Sequence, residues 1–76
     1  MEQYIKDNFE LDFVQNLNPD GFKIKTQTYM GEIGEKEYEV KFLYVDDILT
    51  GVILNDKKLS VKKFEKKMNK ILSKTL

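Results

Sequence analysis

The 76-residue chain contains no cysteine, no histidine and no arginine. Without cysteine there is no disulfide, no thiolate zinc site and no cysteine nucleophile. Without histidine the usual general base and the commonest metal ligand are missing. Without arginine the chain lacks the side chain that most often reads phosphates and base edges. No apolar run approaches the length of a membrane helix, and the opening MEQYIKDN has nothing of a signal peptide, so a cytoplasmic chain without membrane association is expected. Linkers, low-complexity tracts and internal repeats are absent as well.

What is there suffices for one small folded domain spanning 1–76. With 41% hydrophobic and 12% aromatic residues the chain is too apolar for a disordered tail. A domain this short buries only about 60% of its unfolded surface, which sets its stability at roughly 4–11 kcal/mol. The neutral total charge hides a division. Through Asp56 five lysines stand against twelve acids, a balance of −7; from Lys57 onward eight lysines stand against Glu65 alone, a balance of +7. An acidic body therefore carries a basic C-terminal segment.

In that segment Val61, Phe64, Met68, Ile71 and Leu72 fall on one helical stripe, Ser60 is a good N-cap, and Leu59 is placed to staple against Phe64. The spacing predicts a helix from Ser60 to about Lys74 with its apolar stripe in the core. Three strand-like runs precede it. Phe22–Met30 opens with alternation, Glu37–Val45 puts Tyr38, Val40, Phe42 and Tyr44 on one face, and Ile48–Leu54 is rich in β-branched residues. Connections this short make the strands an antiparallel meander. The N-terminal part reads two ways. Ile5, Phe9, Phe13 and Leu17 recur every four residues, and Asp7 with Glu10 resembles a capping box, which favours a helix. The same stretch alternates, and Asn18-Pro19-Asp20-Gly21 is a turn signal that would hairpin a strand Phe9–Leu17 onto Phe22–Met30. The expected class is α+β: a three- or four-stranded antiparallel meander with the C-terminal amphipathic helix on one face and an N-terminal helix.

Catalysis has little to work with. Ser60, Ser73, a threonine or a lysine would be the nucleophile, with no base evident beside any of them. Asp46 and Asp47, with Asp56, fit no calcium-loop spacing and read as solvated turn residues. Gly31-Glu32-Ile33-Gly34 puts an acid where a phosphate would sit. No enzyme, metal or cofactor is expected.

Two surfaces remain as candidates. Glu32, Glu35, Glu37, Glu39, Asp46 and Asp47 concentrate six acids between positions 32 and 47. A two-residue turn at Asp46–Asp47 would pair Val45 with Ile48, Leu43 with Thr50 and Lys41 with Val52. Leu43, Val45, Ile48, Val52 and Leu54 would then form an apolar strip on the face away from Phe42, to be covered by the N-terminal helix, a second copy or a partner. An acidic cluster beside such a strip suits docking on a basic protein surface, including one that handles nucleic acid. The other surface is the lysine face of the last helix: Lys62, Lys63, Lys66, Lys67, Lys70 and Lys74, opposite Phe64 and Met68. Like-charged neighbours at i, i+4, and cations in the first helical turn, both cost stability.

The order helix, three antiparallel strands, helix, with Ser60-Val61-Lys62-Lys63 opening the last helix, resembles a double-stranded-RNA-binding domain. The resemblance implies phosphate contacts from Lys57, Lys58, Lys62, Lys63 and Lys66. The chain departs from that pattern in the Gly31–Lys36 loop, which has neither proline nor histidine, in Phe64 and Met68 where alanines pack, and in the longer approach from Gly51 to Ser60. With four strands the order is similar to small sheet-plus-helix single-strand binders. The sequence thus points to a non-catalytic binding module, first as a small regulator or inhibitor docked on a protein or on a second copy. Nucleic-acid binding through Lys57, Lys58, Lys62, Lys63, Lys66, Lys67 and Lys70 is the alternative.

Overall fold

In the computed structural model, which describes residues 1–75, the order is α1 (Glu2–Asn8), β1 (Glu10–Leu17), β2 (Ile24–Ile33), β3 (Lys36–Val45), β4 (Ile48–Leu54), β5 (Lys57–Leu59) and α2 (Val61–Thr75). The strands form one antiparallel sheet in the order β1-β2-β3-β4-β5, so every neighbour in sequence is a neighbour in space. The α+β class and the meander are as expected, with β5 added at the far edge.

Tight turns set this topology. Asp46 and Asp47 lie at φ +49° and +68°, and Asn55 and Asp56 at +47° and +67°. Two consecutive left-handed residues make the turn whose twist matches paired strands, and Asn and Asp tolerate that conformation best among residues with a side chain. Each turn is also tied across the sheet. The Asp46 N–H donates to the Lys23 carbonyl at 2.7 Å, while the Lys23 N–H donates to Asp46 Oδ1 at 3.1 Å. The Asn55 N–H donates to the Glu39 carbonyl at 3.0 Å, and the Glu39 N–H returns to Asn55 Oδ1 at 2.9 Å.

The N-terminal segment corrects the helical expectation for Phe9–Leu17. Only Glu2–Asn8 is helical; the chain becomes extended at Phe9, and Glu10–Leu17 pairs along β2, from Glu10 opposite Met30 to Leu17 opposite Ile24. A helix through Leu17 would leave the outer backbone groups of β2 without partners, and a strand satisfies them. The Pro19 turn closes the hairpin, with the Phe22 N–H donating to the Pro19 carbonyl at 2.8 Å. Asp7 does not cap a helix start; it accepts from the Gln3 amide at 2.8 Å within α1.

Both helices pack on the same side of the sheet. Phe64 and Met68 of α2 and Ile5 of α1 are fully buried with Val40, Phe42 and Val52. Phe42 is the hub: its ring meets Tyr29 at 5.8 Å, Phe64 edge-on at 5.9 Å and Tyr44 at 6.4 Å. Ser60 caps α2 as expected, its hydroxyl accepting from the Lys63 N–H at 3.2 Å. A clamp of polar groups fastens α1. The Tyr44 hydroxyl donates to Glu2, Glu2 pairs with Lys6 at 3.1 Å, and the ammonium groups of Lys6 and Lys25 stand over the Tyr44 ring at 5.5 and 5.3 Å. Just beyond α1, the Phe9 ring lies directly on Gly31, where a side chain would collide with it.

Two predictions follow from these contacts. A Cβ at position 31 would overlap the Phe9 ring. Gly31→Ala should therefore lower stability by about 2–3 kcal/mol, and should cost almost nothing in a Phe9→Ala background, because the clash then has no partner. Denaturant unfolding of the four chains measures the coupling. The second concerns alkali. Burial, and then the bond to Glu2, push the Tyr44 phenol up to about 12 from its ordinary 10.0. A raised pKa means the folded state holds the proton more tightly, so this contribution is complete below pH 10 and is lost as pH rises toward 12. Thermal unfolding across that window should show a steeper loss for the wild-type chain than for Tyr44→Phe.

Candidate protein-docking face and lysine helix

With both helices on one side, the other side of the sheet is bare. Side chains alternate along each strand, and Val40, Phe42 and Tyr44 point to the helices. Leu43 and Val45 therefore point the other way, as expected. They are more accessible than Phe42 and Tyr44. α1 does not cover them, so the N-terminal helix is removed from the possible covers of this face.

The register expected after the Asp46–Asp47 turn holds for one pair only. Val45 does oppose Ile48, but a bulge beside Thr50 sets Leu43 against Gly51, Phe42 against Val52 and Lys41 against Ile53. One inserted residue exchanges the faces of everything that follows. Val52 and Leu54, expected on the open strip, are instead core residues at 0% and 4% exposure, and Ile53 takes their place outside. Periodicity of the chain gave no sign of the bulge; the alternation of Val52 with Ile53 and Leu54 suits either face.

Sequence reasoning also missed half of the open face, because it lies on β1 and β2. Phe13 opposes Thr28 and Leu17 opposes Ile24, which joins Phe13, Leu17, Ile24 and Met30 to Leu43, Val45 and Ile48 across four strands. Ile48 is 66% exposed and Phe13 56%, values far outside those of core side chains. The alternation in Phe22–Met30 was legible, but it runs opposite to the obvious assignment. Apolar Ile24 faces solvent, while Lys25 faces the helices with its ammonium over Tyr44.

The acids fall at the two ends of this face. Glu32 opposes Glu37, and Met30 stands between Glu10 and Glu39, so four carboxylates gather at the end where the β2–β3 turn lies. Glu35 sits in that turn. Asp46 and Asp47 lie at the opposite end of β3, roughly 30 Å away at the rise of an extended chain. Both are engaged by Lys23: Asp46 accepts its N–H at 3.1 Å and Asp47 meets its ammonium at 3.6 Å. The six acids clustered in sequence are thus two rims, and the field between them is largely apolar, with Lys41 set in it opposite Thr28 and Ile53. Among the described residues no three acidic, His or Cys side chains stand together as a metal-ligand set.

The lysines are on the other side of the molecule. Lys62, Lys63, Lys66, Lys67 and Lys70 are all exposed on α2, and among the described residues none is within ion-pair distance of an acid. β5 divides the remaining pair. Lys57 opposes Leu54 and belongs to the helix side, while Lys58 opposes Ile53 and belongs to the open side, so the seven lysines do not form one surface. Among the described residues no helix is long and apolar enough to cross a membrane.

Since the α2 lysines are exposed and repel one another at i, i+4, replacing Lys62, Lys63, Lys66 and Lys70 together with glutamine should leave stability within about 1 kcal/mol or raise it. Denaturant unfolding at low ionic strength is the measurement, and a larger loss would mean these side chains hold up the fold. No family model matches the chain, and neither does any curated protein or solved structure.

Proposed function

We propose that the chain is a non-catalytic docking module, a small cytoplasmic regulator or inhibitor, whose open sheet face binds a basic protein surface. One observation carries this reading: an uncovered sheet face on which Phe13, Leu17, Ile24, Leu43, Val45 and Ile48 outnumber the polar side chains and Lys41 among them, bounded by carboxylates at both ends. Exposed apolar area of this kind marks a binding surface in a small domain that has few apolar residues to spare. The rims select the partner. Lysine or arginine flanking an apolar centre gains attraction at both ends, whereas a nucleic-acid backbone is repelled from this side. Face-to-face stacking of a second copy would bring acids over acids and is disfavoured by the same rule.

A second reading has its own support. Among the described residues the α2 lysines make no ion pair, and they turn away from the acidic rims, which suits phosphate contact by Lys62, Lys63, Lys66, Lys67 and Lys70, with Lys57 beside them. Lys58 stands apart from that set.

Affinity capture with the wild-type chain as bait, with bound protein and nucleic acid both quantified, tests the two readings together. Ile48→Lys should leave stability within about 0.5 kcal/mol, because the site is already wet, and should weaken the captured protein by about 1–3 kcal/mol. Reversing Glu37 and Glu39 to lysine should slow association more than it speeds dissociation, since rim charges steer encounters. The glutamine variant of the α2 lysines should leave that protein bound. If it instead releases the ligand, and affinity falls steeply with salt, the lysine helix is the site and the docking reading fails.

A further inference from the structure

The two edges of the sheet are built differently. β5 is three residues long and carries Lys57 and Lys58, the short and charged pattern that keeps an edge from pairing with other chains. β1 is eight residues long and exposed throughout. Its only guards, Glu10, Asp12 and a bulge between Leu11 and Phe13, lie at its start. From Phe13 to Leu17 there is no charge, no proline and no glycine. Among the described residues no helix overhangs this edge, since Leu11 and Val14, on the helix side of β1, are 52% and 39% exposed.

We infer that Phe13–Leu17 is a dimerisation strand that pairs antiparallel with the same segment of a second copy, about a two-fold axis through Gln15. The pattern Phe-Val-Gln-Asn-Leu is self-complementary under that operation. Phe13 of each chain meets Leu17 of the other on the open face, Gln15 meets Gln15 between them, and Val14 meets Asn16 on the helix side. On the open face apolar meets apolar and amide meets amide, on the helix side Val14 lies against the neutral Asn16 amide, and no charge is buried. An unrelated peptide finds nothing of this kind to recognise, because the stretch offers no charge to complement.

The pairing also enlarges the open face. A single face is five strands wide at about 4.8 Å each and apolar over roughly four residues, on the order of 300 Å² of flat area, well short of the ~800 Å² per partner of a standard interface. Joining β1 to β1 keeps all helices on one side and merges two open faces into one ten-stranded surface, with Phe13 and Leu17 at its centre. This need for area rests on the docking reading of the open face. The pairing itself is measured without any partner, so either can fail while the other stands.

Sedimentation equilibrium of the full chain at rising concentration tests it. A mass that climbs from one to two chains is expected, as are Phe13–Leu17 amides whose hydrogen-exchange protection falls on dilution. Gln15→Lys and Gln15→Glu each place like charges face to face at the axis and should each raise the dissociation constant at least tenfold. An equimolar mixture of the two should restore dimers as heterodimers, while Ile48→Lys should leave the wild-type dimer intact. Gln15 is exposed, so neither variant should disturb the monomer, and circular dichroism checks this directly. A chain that stays monomeric at every concentration overturns the proposal. So does a dimer that survives both Gln15 variants, or one that Ile48→Lys abolishes.

Discussion

The ring of Phe42 holds this molecule together. It sits at the middle of the central strand, touches Tyr29 and Tyr44 within the sheet, and receives the edge of Phe64 from α2 at 5.9 Å and 89°. Aromatic contacts of this geometry add to the apolar burial that any core supplies. Ile5 and Met68, the fully buried residues of the two helices, complete the same cluster. Everything apolar that the helices own is therefore committed to one side of the sheet. Among the described residues there is no third helix to cover the other side.

That commitment explains the asymmetry of the surface. The helix side ends outward in lysines, and the opposite side is an apolar field with carboxylate rims. Each layer keeps its charges on its own outer boundary, where they are hydrated and cost little. Among the described residues the α2 lysines are not paired with an acid, and the sheet and its core lie between them and most of the acids. A molecule arranged in this way offers different chemistry to partners arriving from its two sides. Most of the exposed apolar area lies on the open side, with Leu11 and Val14 exposed at the β1 edge of the helix side.

Local interactions were legible from residue types alone. Ser60 as N-cap, the stripe from Val61 to Leu72 and the Asp46–Asp47 reversal all depend on residues a few positions apart, and each stands as expected. β3 was equally readable, because its alternation of aromatic and polar side chains leaves one face as the only choice for the core. The Asn55–Asp56 turn had the same chemistry as Asp46–Asp47 and could have been found by the same signal. The division of charge at Asp56 was plain as well, although it does not coincide with the layers, since α1 precedes it and β5 with Lys57 and Lys58 follows it.

What the sequence determined by itself, then, was the class, the meander, the last helix and the two kinds of charged surface, all consequences of short-range chemistry. Tertiary structure decided the remainder. Phe13 and Leu17 satisfy a helical spacing and a strand alternation equally, and only the free edge of β2, a backbone demand from elsewhere in the chain, chose the strand. Val52, Ile53 and Leu54 are all apolar, so no pattern could say which faces inward; a single bulged residue before them settled it. Lys25 faces the core side because Tyr44, distant in sequence and adjacent in the sheet, offers its ring to the ammonium. Where two faces of a strand are chemically alike, the face that is buried is set by the neighbour that pairs with it, and that neighbour is known only once the chain has folded.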